Sequence, residues 1–126
     1  MNAPENLKYS ETHEWVEFTD ESTARIGLSD FAQYSLGDIV YVSLPIVGDA
    51  VSAEKCFGEI ESVKTAMDLI SPVSGIVLAV NESVAESPEN INNFPYETWL
   101  VEVTDITSQT KLMDASEYKV HFKEKE

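Results

Sequence analysis

Short runs of β-branched and aromatic residues, each closed within a few positions by a turn former, are what most constrain this chain. Trp15, Val16 and Phe18 sit among polar residues and read as a strand. Asp20, Glu21 and Ser22 turn the chain, and Ala24, Ile26 and Leu28 read as the hairpin partner. Ile39, Val40, Tyr41 and Val42 follow and are ended by Pro45. Val51 begins a short strand after the Gly48-Asp49 turn. Further strands read at residues 57–63, 75–80 and 99–103, with another starting at Leu69 and Ile70 and broken by Pro72. Residues 87–95, with two prolines and three asparagines, read as loop.

Only two segments carry helix signals. Ser29 is a good N-cap with Asp30 in the first turn, and Phe31, Ala32, Tyr34 and Leu36 follow. Gly37 stands where a helix ends, so residues 29–36 are predicted as two turns. Asp114 and Glu117 have capping-box spacing, and Tyr118 and Phe122 share a face, which predicts a terminal helix over 115–123. Many strands with one internal and one terminal helix predict a mainly β fold, a folded-over sandwich or small barrel with helices at its edges. Residues 47–51 echo 80–84 in a Val–turn former–acid–x–Val pattern, which fits two half-sheets related by a pseudo-twofold axis.

At 126 residues and 43% hydrophobic the chain suits one domain, 1–126, with fraying expected at about 1–6 and 123–126. It has 23 acidic residues against 8 basic, a formal net charge of −15. That balance argues against nucleic acid and against an anionic membrane surface, since both need a basic face. No apolar run approaches membrane-spanning length. The polar start shows no signal or Arg-rich transit peptide, so the expected location is the bacterial cytoplasm, or an organelle matrix if the chain is a processed form. One cysteine, Cys56, permits no internal disulfide.

One lysine stands apart. Lys64 falls between two strand-like segments with little room for a loop, so a hairpin would carry it at or near the tip, with its stem in water. Most lone lysines are solvated surface charges. Position alone does not distinguish this one, but its surroundings do. Glu61-Ser62-Val63-Lys64, Asp68-Leu69 and Ser71-Pro72-Val73-Ser74-Gly75 resemble the lipoyl-lysine hairpin of the glycine cleavage system H-protein family. The likeness continues through Thr12-His13-Glu14-Trp15-Val16, Leu36-Gly37-Asp38, Val40-Tyr41-Val42, Pro95-Tyr96, Trp99-Leu100 and the helix at 114–118, covering about residues 7–122. Met67 and the Cys56-Phe57 pair depart from the usual pattern without touching the lysine.

The resemblance implies a hybrid barrel-sandwich of two small sheets, as in lipoyl and biotinyl carriers. It implies a carrier rather than an enzyme, with lipoate in amide linkage to Lys64. Its partners would be a pyridoxal-phosphate glycine decarboxylase (P protein), a folate-dependent aminomethyltransferase (T protein) and dihydrolipoamide dehydrogenase (L protein). A lipoate ligase or lipoyl/octanoyl transferase would load the lysine. Thr12, Glu14 and Asp68 are candidates for the polar walls of a cleft that shelters the cationic, aminomethyl-bearing arm. Glu61 is a candidate for recognition by the ligase. No catalytic residue and no metal ligand is expected.

Competing readings remain distinct in chemistry. A biotin carrier domain uses the same hairpin device but usually sets methionine on both sides of the lysine, where this chain has Val63 and Thr65. Lipoyl domains of 2-oxoacid dehydrogenases lack the His13-Glu14-Trp15 and terminal-helix features. A carrier that relays lipoate to other complexes needs the same lysine. A hydrolase built on Cys56 and His13 would require the two side chains to meet. The plainer expectation is that Cys56 packs as a small hydrophobe, that His13 is partly buried and hydrogen-bonded near Trp15, and that His121 is on the surface.

Overall fold

Short β-branched and aromatic runs closed by turn formers are the segments that form sheet. In the computed structural model, which describes residues 2–122, thirteen elements follow one another among those residues. They are β1 (Lys8–Tyr9), β2 (Glu14–Asp20), β3 (Thr23–Leu28), α1 (Asp30–Leu36), β4 (Ile39–Ser43), β5 (Ala50–Val51), β6 (Cys56–Ser62), β7 (Ala66–Ile70), β8 (Val73–Val80), α2 (Ser83–Glu86), α3 (Asn90–Asn93), β9 (Trp99–Gln109) and α4 (Ala115–Phe122). Every strand pairing is antiparallel. The strands form a six-stranded sheet ordered β1-β2-β3-β9-β8-β5 and a three-stranded sheet ordered β4-β6-β7. The expected mainly β, two-sheet architecture with an internal and a terminal helix is present, and the described strands do not close into a barrel.

The two sheets share a core. Leu28 and Leu100 of the large sheet pack with Val42, Ile60 and Leu69 of the small one, and Leu36, Val84 and Ile91 from the helices complete this cluster. A second cluster holds Ile26, Val73, Val77, Val101 and Val103. Each fully buried aliphatic side chain contributes about 1.5–3 kcal/mol relative to exposure. The third cluster is aromatic: Tyr9, Trp15, Phe31, Tyr118 and Phe122 seat α4 against β1 and α1. Trp15 lies across Gly27, its cross-strand partner, where an added Cβ would come within 2.3 Å of the indole.

Both helix predictions find their caps. Ser29 Oγ accepts from the Ala32 amide at 3.3 Å, and Gly37 ends α1 at φ +81° with its N–H on the Gln33 carbonyl. Asp114 and Glu117 cap each other: the Glu117 amide donates to Asp114 Oδ1 and the Asp114 amide to Glu117 Oε1. The last predicted helical residue, Lys123, and the expected frayed end at 123–126 lie outside the described residues.

Three expectations are corrected. Residues 2–6 do not stand free: Ala3 is buried, Tyr9 Oη donates to the Pro4 carbonyl and Tyr96 Oη to the Asn2 carbonyl. Tyr9 holds it from five residues away, but Tyr96 comes from 94 residues away and nothing local announces it. The stretch 87–95 is not structureless, since α3 forms one turn that buries Ile91, with Thr98 Oγ1 donating to the Asn90 carbonyl. A single turn is too short to show helical periodicity. The echo between 47–51 and 80–84 is not carried into structure, because Ala50 and Val51 form a strand whereas Ser83 and Val84 begin a helical turn.

Candidate functional site

The hairpin of β6 and β7 turns where the sequence places it. Glu61 pairs with Ala66, and the Ser62 amide donates to the Thr65 carbonyl at 2.8 Å. Val63 and Lys64 form the tip, and both are exposed. Ser62 Oγ accepts from the amides of Lys64 and Thr65, each at 3.1 Å, so a side chain satisfies donors that a tight turn leaves open. Beyond the ladder pair Ile39–Ser62, the Val63 amide ties the tip to the body, donating to the Asp38 carbonyl at 2.9 Å. The stem of Lys64 lies over Gly37, where an added Cβ would stand 3.1 Å from Lys64 Cε. Among the described residues no carboxylate reaches ion-pair distance of its ammonium, the sole such pair being Arg25 with Glu102.

Glu14 occupies the opposite kind of place. It is fully buried at the start of β2. Ser10 Oγ donates to its Oε1 at 2.8 Å, Thr12 Oγ1 donates to the same oxygen, and the Ile70 amide donates to Oε2 at 3.2 Å. Ile70 belongs to β7, the edge strand of the small sheet, so this carboxylate stitches one sheet to the other. Burial raises its pKa from the ordinary 4.5 to about 7, although the hydrogen bonds from Thr12, Ser10 and Ile70 pull the other way. Above these donors lies a cavity of about 260 Å³ lined by Ser10, Glu11, Thr12, Glu54, Ile70 and Ser71, among others.

The predicted site residues therefore divide. Lys64 and Glu61 stand at the tip end of the hairpin, Glu61 half-buried and paired with Tyr41 and Ala66. Thr12 and Glu14 meet at the far end of β7. Asp68 is exposed between the two groups, opposite Glu59 and two residues from Ile70. Lys64 and Ile70 are six positions apart, at most about 20 Å along an extended strand. Glu14 is not an exposed wall of a cleft; it lies beneath one, and Thr12 is its link to the surface. Ser10 is the partner that sequence reasoning missed, and its only signal is its place four residues before Glu14.

His13 has a positive φ, 74°, and is partly buried and hydrogen-bonded as expected: its Nδ1 lies 2.8 Å from Tyr118 Oη, in the aromatic cluster that also holds Trp15. Its ring stacks on Phe31 and tilts against Phe122. The Trp15 indole N–H donates instead to the Pro95 carbonyl. Cys56 is exposed, not packed, and its thiol donates to the Gly58 carbonyl. Cys56 bonds the Gly58 carbonyl and His13 the Tyr118 hydroxyl, so these two hydrogen bonds lead to different partners. His121 is exposed as expected. Among the described residues no His, Cys, Asp and Glu cluster has metal-binding geometry, and no helix is long and apolar enough to cross a membrane.

Two sheets that hold one lysine out on a hairpin, clear of neighbouring charges, are the build of a covalent carrier domain. Comparison with known proteins agrees. The sequence profile described as Glycine cleavage H-protein matches residues 7–125. The glycine cleavage system H protein of Halalkalibacterium halodurans is 52% identical over 121 residues, 94% of each chain. That of Lachnoclostridium phytofermentans is 45% identical over 119 residues, again 94% of each. A crystal structure of a glycine cleavage system H protein from Mycobacterium marinum superposes with a TM-score of 0.90 at 38% identity, covering 94% of this chain and 98% of that one. The chain belongs to the glycine cleavage H-protein family.

Proposed function

We propose that this chain carries lipoate in amide linkage to Lys64 and serves as the mobile carrier of glycine cleavage. The observation that carries the reading is the exposure of Lys64 at the hairpin tip in a member of this family. The residues suit such a group: the amine has no ion-pair partner among the described residues, and Gly37 leaves its stem unobstructed. Lys64 would hold the lipoyl group, whose ring disulfide would supply a two-electron acceptor and a sulfur to carry an aminomethyl unit between a pyridoxal-phosphate glycine decarboxylase and a folate-dependent aminomethyltransferase, with dihydrolipoamide dehydrogenase as the reoxidising partner.

The chain's own part is to present, guide and shelter. The hairpin tip lets Lys64 enter the site of a lipoate ligase or lipoyl/octanoyl transferase, and Glu61 beside it helps orient that enzyme. Tethering replaces repeated bimolecular encounters with a high local concentration of the reacting end. Thr12, with Asp68 at the rim, forms the polar wall that receives a cationic amine, and Glu14 lies behind Thr12 as a buried reserve of charge. Glu14 suits this because a carboxyl with a pKa near 7 gives up its proton readily once a cation approaches, opposite charge favouring its ionised form. The bond-making chemistry lies in the partners' sites, and a bacterial cytoplasm or an organelle matrix is the setting.

The test is acceptor activity. Lipoylated protein mixed with glycine and a pyridoxal-phosphate glycine decarboxylase is expected to release about one CO2 per Lys64, whereas Lys64→Arg releases none above the decarboxylase alone. Equal release from the two proteins overturns the proposal.

A further inference from the structure

The side-chain amide of Asn92 makes three hydrogen bonds, all to one short stretch of chain. Its Nδ2 donates to the Gly37 carbonyl at 2.9 Å and to Gln33 Oε1 at 3.0 Å, and its Oδ1 accepts from the Ile39 amide at 2.9 Å. Both protons and one acceptor site of the amide are used. Gln33 is fixed in turn, with Nε2 donating to Asp30 Oδ1 at 2.7 Å. The residues held directly, Gly37 and Ile39, flank Asp38. Asp38 offers the carbonyl that receives the Val63 amide, and Val63 precedes Lys64. The same loop supplies Gly37, over which the lysine stem lies. A chain of contacts therefore runs from α3, through residues 37–39, to the turn that carries the lysine.

We infer that Asn92 is the positioning residue for the attachment lysine: through residues 37–39 it holds the turn at 63–65 in the orientation offered to the enzyme that forms the amide. Asn92 does not touch Lys64. Without it, the Asp38 carbonyl is no longer held from both sides; the ladder pair Ile39–Ser62 remains, but the hydrogen bond that ties the tip itself loosens. A loose tip samples more orientations, so fewer encounters present Nζ to the activated acyl group. The inference rests on the lipoyl-lysine reading, and its test separates the two.

The step to be timed is amide formation by a lipoate ligase supplied with lipoate and ATP. Nζ bonds the acyl carbon of the lipoyl adenylate, AMP leaves and Nζ loses a proton. Asn92→Ala removes all three bonds; Asn92→Asp keeps the shape and the acceptor for Ile39 but has no N–H for Gly37 or Gln33. Both are expected to lower kcat by about tenfold, the scale of one or two net hydrogen bonds, with less change in KM for the protein. Amide hydrogen exchange at Val63 should quicken by a similar factor, while Val101 in the core sheet holds its rate. Asn93→Ala, on the exposed side of the same turn, should change neither. Unchanged kcat in both Asn92 variants, whatever their melting temperature, overturns the inference. If the unaltered protein accepts no lipoyl group, the lipoyl-lysine reading fails, and Val63 exchange alone then decides: faster exchange in Asn92→Asp supports the positioning role and unchanged exchange overturns it.

Discussion

The tip of the β6–β7 hairpin and the pocket around Glu14 hold the two ends of the candidate site in opposite ways. At the tip, Lys64 is exposed, the turn is closed by one serine hydroxyl, and one backbone hydrogen bond beyond the strand ladder ties it to the body. At Glu14, a carboxyl is sealed from water and held by two hydroxyls and an amide from the other sheet, with the aromatic cluster of α4 nearby. The difference teaches where precision is needed. On the proposed reading an attachment point has to be reachable by several enzymes, and Lys64 stands on an exposed turn. On the proposed reading the charge that meets a cation is kept in reserve, and Glu14 sits where burial raises its pKa.

This contrast predicts a graded set of effects. The largest belongs to the packed end. Tyr118 stacks on Tyr9 at 4.6 Å, and its hydroxyl joins Ser29 Oγ, at 2.6 Å, to His13 Nδ1. Tyr118→Ala should cost about 3–5 kcal/mol in urea unfolding, as large-to-small aromatic core changes do. A loss below about 1 kcal/mol would show that α4 is not part of the cooperative core.

Next comes Glu14. In the folded protein it keeps its proton up to about pH 7, whereas in the unfolded chain it does so only to its ordinary 4.5. Folding therefore takes up a proton between those values, and stability falls as pH rises through that window, by about 3 kcal/mol in all. Below the window the contribution is constant, and above it the loss is complete. Glu14→Gln removes this titration, so its stability relative to the unaltered protein should climb from pH 4.5 to 7 and then level off. Parallel stability profiles across that range would contradict the burial account.

Effects at the tip should be small on folding and visible on modification. Gly37→Ala meets a positive φ and the Lys64 stem together and should cost about 1–2 kcal/mol. It should also slow lipoylation, which a time course would reveal. Val63→Thr, at a position 68% exposed, should change stability by less than about 0.5 kcal/mol. A larger loss would mean that the tip is packed more tightly than its one tie beyond the ladder implies.

How far the sequence foretold this depends on the range of each contact. The cap of α1, the Asp114–Glu117 capping box and the turn at Lys64 all rest on residues within a few positions of one another, and all were legible. The burial of Glu14 was not, because a carboxyl in the run Thr12-His13-Glu14 looks solvated until β7 lies over it. That His13 is partly buried and hydrogen-bonded was foreseen, but its partner Tyr118 was not, since it comes from 105 residues away. Asn92 was hidden inside a stretch that reads as loop, since its three bonds all reach back more than fifty residues. Cys56 is exposed rather than packed because β6 begins in solvent, which no local pattern records.

The central claim is that one exposed lysine carries the working group. Co-expression with a lipoate ligase followed by intact-mass measurement tests it most directly. The account predicts a single increment of one lipoyl group on the unaltered protein and none on Lys64→Arg. An increment that persists in Lys64→Arg, a biotin-sized increment, or no increment at all would contradict it.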